Sequence, residues 1–159
     1  MKKITVFMLV GMFLLSGLAS AGKDEGLYNQ KLTLRLTNGS DMKLSDLSGK
    51  PSIVFFYNSI CGCRPYRELL NKVYLSYKDK GVQVIGVGIR ESADTFLSFA
   101  KGEGFSFPSG FDATTEIAKN CKAYSVPVTV FLSKDGQIAR KATGYLKEEE
   151  IRAEVEKLL

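Results

Sequence analysis

Cys61 and Cys63 stand on either side of a single glycine, Gly62, and Arg64 follows directly. Two thiols this close can be oxidised to one disulfide and reduced again, or can share a soft metal ion such as Cu(I). A thiol attacks as its thiolate, and a thiolate is favoured by a helix N-terminus and by neighbouring positive charge, which Arg64 supplies. The plainer alternatives are a pair of packing cysteines or one inert disulfide. A copper site needs a third soft ligand, and no Met or His is close in sequence. The third thiol, Cys121, lies in Asn120-Cys121-Lys122. It reads as a buried packing residue, or as a resolving or regulatory thiol of the kind a peroxidase uses.

The residue inventory narrows the rest. Histidine is absent, which excludes Ser-His and Cys-His nucleophile pairs and any His-containing metal site. Three cysteines are one too few for an all-cysteine structural zinc site. Thiols, carboxylates, Arg, Lys and Tyr are left to carry the chemistry.

The elements around the pair are those that would expose and activate it. Ser52 to Tyr57 holds the continuous apolar run Ile53-Val54-Phe55-Phe56, as expected for a central strand buried on both faces. Beyond the cysteines, Tyr66, Leu69, Leu70, Val73 and Tyr77 recur at helical spacing, and the pattern stops before Gly81. Cys61 and Cys63 are thus placed between a buried strand and a helix N-terminus, with Gly62 and Arg64 sharing that turn. A second apolar strand, Val82 to Val87, leads to a helix from about Ser92 to Lys101. Gly102 to Gly110 reads as a connection, and 114 to about 124 as a short third helix.

Upstream, Leu32, Leu34 and Leu36 alternate with polar residues as a half-buried strand, and Asn38-Gly39 turns the chain toward a short partner at Met42 to Leu44. Downstream, Val128 to Leu132 and Ile138 to Thr143 flank the Asp135-Gly136 turn of a hairpin. A C-terminal helix carries Ile151, Val155, Leu158 and Leu159 as its apolar stripe and Glu148 to Glu150 in its first turn. These elements predict an α/β domain: a mixed central sheet flanked by helices, with an N-terminal β-hairpin extension and a central αβ insertion. That order resembles the thioredoxin fold with extensions.

The N-terminus has Lys2 and Lys3, an apolar stretch of 15 residues from Ile4 to Leu18, and Ala19-Ser20-Ala21. This is the layout of a cleavable signal peptide, and the stretch is short of the roughly 20 residues that cross a bilayer. The expected division is signal peptide 1–21, flexible polar lead-in 22–30 and one domain over 31–159. The alternative is an uncleaved segment that anchors the chain. Removing Lys2 and Lys3 takes 22 basic residues to 20 against 17 acidic ones. So small an excess, spread along the chain, gives no footprint for nucleic acid.

Phe56-Tyr57-Asn58-Ser59-Ile60-Cys61-Gly62 resembles the strand-end and first-cysteine segment of TlpA/ResA-type thioredoxin-like proteins of the redoxin (AhpC/TSA) superfamily, and Cys63-Arg64 resembles their second cysteine and following base. Family spacing holds upstream when counted from Cys61, and through Tyr74 to Val87 when counted from Cys63. One residue is therefore missing, and the usual Cys-x-x-Cys has become Cys-x-Cys. The resemblance spans roughly 32–159. It likens Ser125-Val126-Pro127 to the family loop with a cis proline and Lys134 to Ile138 to its late hairpin.

The resemblance implies an exported thiol-disulfide oxidoreductase. It would be a periplasmic monomer without cofactor or metal, not inserted in the membrane once the signal is removed. It would act on protein thiols and disulfides and exchange electrons with a membrane or periplasmic partner. Glu91 matches a carboxylate that lies near the cysteine pair and handles the resolving thiol's proton; the alternative is a surface Glu at the start of the next helix. Val126, Pro127 and Tyr57 would face substrate, with Val126 offering its main chain to an extended strand. A ring closed over a single residue also departs from relaxed disulfide geometry, so a more oxidising couple than an ordinary relative's is expected. A peroxidase of the same superfamily would want Pro and Thr before its cysteine, where this chain has Asn58 and Ser59. A copper metallochaperone is the non-enzymatic rival.

Overall fold

The computed structural model describes residues 26–159. The expected signal peptide and residues 22–25 of the lead-in lie outside them. The remainder of the lead-in differs from the loose segment expected: Leu27–Asn29 form a 3-10 turn in which Leu27 and Tyr28 are buried, and the Tyr28 hydroxyl donates to Ser52 Oγ at 2.7 Å. A polar composition around two apolar residues concealed this anchoring.

Seven strands form one sheet: β1 (Thr33–Leu36), β2 (Asp41–Lys43), β3 (Ser52–Tyr57), β4 (Gln83–Gly88), β5 (Ser109–Phe111), β6 (Val128–Leu132) and β7 (Ile138–Thr143), in the spatial order β2-β1-β5-β4-β3-β6-β7. All six residues of β3 are buried, because side chains alternate between two covered faces. Ile53, Phe55 and Tyr57 enter one core with Tyr66, Leu70 and Val73 of α1 (Arg64–Tyr77), Phe96 of α2 (Ala93–Lys101) and Ile151 and Val155 of α4 (Glu148–Leu158). Val54 and Phe56 enter the other, under Ile117 of α3 (Glu116–Asn120) and the N-terminal turns. This is the mixed sheet with helices on both faces that the sequence predicts.

The segment expected to be a connection between α2 and α3 contains β5. It pairs parallel with β4 and antiparallel with β1, so α2 and β5 are the central αβ insertion. The third helix is shorter than expected, confined to Glu116–Asn120.

Register decides what meets at one end of the sheet. β3 and β4 run parallel, with Tyr57 opposite Gly88. β6 runs antiparallel to β3, with Phe56 opposite Val128, and β7 returns so that Thr143 lies opposite Val128. The residues after β3, after β4, before β6 and after β7 therefore share one edge. In the sequence these are Cys61 and Cys63, Glu91, Val126 and Pro127, and Tyr145.

Candidate active site

After β3 the chain turns at Asn58–Cys61, where the Cys61 N–H donates to the Asn58 carbonyl at 3.4 Å. Gly62 has φ +65, a left-handed conformation that a residue without Cβ adopts at least cost. Cys63 then stands at the N-cap of α1. The second helical residue is Pro65, which has no N–H to leave unpaired. Cys61 and Cys63 are joined as a disulfide with Cα atoms 5.2 Å apart. Cys61 is partly exposed, whereas Cys63 is only 6% exposed. An attacking sulfur therefore reaches Cys61 first.

Arg64 does not present a free charge to the sulfurs. Its Nη2 lies 2.7 Å from Oε1 of Glu103, and Arg67 Nη1 contacts the other carboxylate oxygen. Arg67 and Glu103 are both buried, at 6% and 8% exposure. Burial lowers the pKa of the Arg67 guanidinium, and the charge on Arg64 adds to this. The triad borders a cavity of about 190 Å³ that also touches Cys61, Cys63, Asn58 and the rings of Phe99 and Phe105. Tyr57 belongs to its wall rather than to a substrate face. Only 2% of Tyr57 is exposed, its hydroxyl is 2.6 Å from Ser109 Oγ, and burial raises its pKa.

On the other side of the pair, the Tyr145 hydroxyl donates to the Cys61 carbonyl at 3.1 Å and lies 3.7 Å from Cys63 Sγ. Its ring packs on Tyr66 with centroids 5.3 Å apart, and the Tyr66 hydroxyl is 2.9 Å from Thr129 Oγ1. Gly62, Pro65, Tyr66, Leu69 and Tyr145 line a second, shallow depression of about 240 Å³, and Ile60, in the turn before Cys61, is 88% exposed.

Glu91 lies just before α2, and its carboxylate is held by Ser59, whose N–H and hydroxyl donate to it at 2.9 and 2.5 Å. It is thereby tied to the turn carrying Cys61. The Val126–Pro127 bond is cis. The Val126 side chain packs with the core on the face of the sheet away from α1, and the Pro127 carbonyl accepts from Gly144 N–H at 2.9 Å.

Cys121 is a free thiol, fully buried in that same opposite core. Burial, with Asp112 adding to it, pushes its pKa up to about 12. The sheet separates it from Cys61, so it is a packing residue rather than a resolving partner. No group of three or more His, Cys, Asp or Glu side chains comes together as a metal site among the described residues.

The site residues found only in the structure are Tyr145, Arg67 and Glu103. The one sequence signal for Tyr145 was its place directly after the late hairpin, at the edge where β3 ends. Arg67 and Glu103 gave none, since a charged residue off the apolar stripe of a helix, or in a connection, reads as solvated.

The AhpC/TSA family model matches residues 29–141. The thiol-disulfide oxidoreductase ResA of Bacillus cereus is 23% identical over 169 residues, covering 99% of this chain and 98% of its own length. The Bacillus subtilis protein of the same name is 28% identical over 132 residues, covering 80% of this chain and 74% of its own. Among solved structures, DsbF of Mycobacterium tuberculosis, in its mixed oxidized and reduced forms, superposes with a TM-score of 0.73 at 18% identity, covering 84% of this chain and 99% of that one. The exposed lipoprotein thioredoxin Etrx1 of Streptococcus pneumoniae superposes with a TM-score of 0.74 at 21% identity, covering 81% and 100%.

Proposed function

The chain belongs to the AhpC/TSA family with a TlpA/ResA-type thioredoxin fold, and from that premise we propose that it is an exported oxidoreductase exchanging disulfides with protein substrates through Cys61 and Cys63. The observation that carries this reading is the unequal exposure of a disulfide at the N-cap of α1. Cys61 is accessible to attack, and Cys63 is covered and ready to leave or to resolve. In the reducing direction, the Cys61 thiolate attacks a substrate disulfide, one substrate sulfur leaves, and Cys63 then attacks Cys61 to release the second. In the oxidising direction, the same bonds form and break in reverse.

The fixed groups have distinct parts in this scheme. Unpaired N–H groups of the first helical turn favour negative charge at the pair. Glu91 acts as a positioning residue that holds the Ser59 turn through two hydrogen bonds. Val126 and Pro127 border the same edge of the sheet, where an extended substrate segment can pair with the main chain. The apolar depression beside Gly62 suits a hydrophobic residue flanking the substrate cysteine. Export rests on the N-terminal pattern and on the exposed lipoprotein among the structural relatives. No helix among the described residues is long and apolar enough to cross a membrane. Electrons would pass to or from a membrane or periplasmic partner.

Redox titration of the mature protein against glutathione buffers tests this reading. The expected result is a reversible two-electron couple confined to Cys61 and Cys63. It should lie at a more oxidising potential than an ordinary Cys-x-x-Cys relative, because the ring closes over one residue. A pair that stays oxidised in strongly reducing buffer contradicts the proposal.

A further inference from the structure

We infer that Tyr145 is a further catalytic residue of this site, the hydrogen-bond donor that stabilises the Cys63 thiolate as it leaves the disulfide. The inference rests on the exchange reading and adds to it a residue outside the cysteine turn. Cys63 is only 6% exposed, so water gives little stabilisation to a charge forming on its sulfur. The nearby arginines are committed to Glu103. Tyr145 is the one side-chain donor in reach of Cys63 Sγ among the described residues, at 3.7 Å.

A hydroxyl has one proton to donate, and the Cys61 carbonyl, at 3.1 Å, is its nearer acceptor while the disulfide is intact. A disulfide sulfur is a weak acceptor and a thiolate a strong one. When an incoming thiolate bonds to Cys61 Sγ, the Cys61–Cys63 bond breaks and its electron pair stays on Cys63 Sγ. The attacking sulfur is oxidised and Cys63 is reduced. No proton needs to move: the negative charge passes from one sulfur to the other, and the Tyr145 O–H turns from the carbonyl to the new thiolate. The donor is in place beforehand, since its ring rests on Tyr66 and Tyr66 is held by Thr129. A donor held within reach of developing charge lowers the barrier at the cost of one hydroxyl rotation. In the reverse step the same bond holds Cys63 as a thiolate ready to resolve a mixed disulfide.

Tyr145→Phe keeps the ring and removes the donor, which separates hydrogen bonding from packing. Two measurements read the change. In a Cys61→Ser background, where Cys63 is the site's one thiol, ultraviolet absorbance titrates the Cys63 thiolate. In a background with both cysteines, stopped flow follows reduction of the disulfide by dithiothreitol. Tyr145→Phe should raise the Cys63 pKa and slow reduction about three- to tenfold, the range of an ordinary net hydrogen bond. An unchanged Cys63 titration together with an unchanged reduction rate overturns the inference. Failure of the unsubstituted protein to exchange disulfides at all is a different result and removes the reading on which the inference rests.

Discussion

Glu103 is a carboxylate with 8% exposure that bridges two guanidiniums, one of them buried with it. Such a pair costs desolvation to build, and removing one partner is worse than never having built it, because the other charge stays buried and uncompensated. Glu103→Gln should therefore lower stability by about 3–5 kcal/mol, measured as a shift of the urea midpoint at unchanged slope. It should also make the Cys61 thiol more acidic, since Arg64 and Arg67 would then act on the sulfurs unneutralised. A change within about 0.5 kcal/mol, the ordinary range for a surface substitution, contradicts this account of the triad. Arg64 was legible as a neighbour of the cysteines, but its neutralisation was not. Glu103 is 39 residues from Arg64, and Tyr145 is 82 residues from Cys63. No local pattern reports a contact made across that separation.

The elements that place the cysteines were legible because each is long or strongly patterned. β3 is one apolar run, α1 repeats its apolar residues at helical spacing, and the β6–β7 hairpin announces itself with Asp-Gly. β5 was missed for a physical reason. It has three residues, too few to display a period, and Gly110 at its centre reads as loop. The structure shows why glycine stands there: β1 passes so close that a Cβ on Gly110 would run into the Arg35 main chain. Gly110→Ala should push β1 away and cost about 1–3 kcal/mol. Amide exchange should then quicken in β1 and β2 before it does in β3. Uniform exchange across the sheet at unchanged stability would mean that β1 does not need that close approach. Helix α3 was overextended because Lys122, just past the C-cap Cys121, takes φ +52, and nothing in its residue type signals that turn.

At the scale of the whole molecule, one sheet separates two cores that hold different thiols. The Cys61–Cys63 disulfide belongs to the face of α1, and Cys121 to the face of α3. Burial raises the Cys121 thiol to about 12 from an ordinary 9.0, and the Tyr28 hydroxyl to about 12 from 10.0. Both groups are neutral in folded and unfolded chains below about pH 8, so their protonation does not affect stability there. As the pH rises, the unfolded chain loses these protons before the folded chain does, and stability falls until about pH 12. Each such group contributes a slope of about 1.4 kcal/mol per pH unit within its window. In protein oxidised at Cys61–Cys63, Cys121→Ala should flatten the decline between about pH 8 and 9, before the tyrosines contribute much. An identical decline in both proteins would show that the thiol is not held neutral by its surroundings. Trapping distinguishes Cys61 from the other sulfurs as the one that meets substrate. Reduced Cys63→Ala protein, mixed with a peptide disulfide and examined by mass spectrometry after digestion, should carry one peptide adduct on Cys61 that persists because nothing resolves it. Absence of an adduct, or an adduct found on Cys121, would contradict the account.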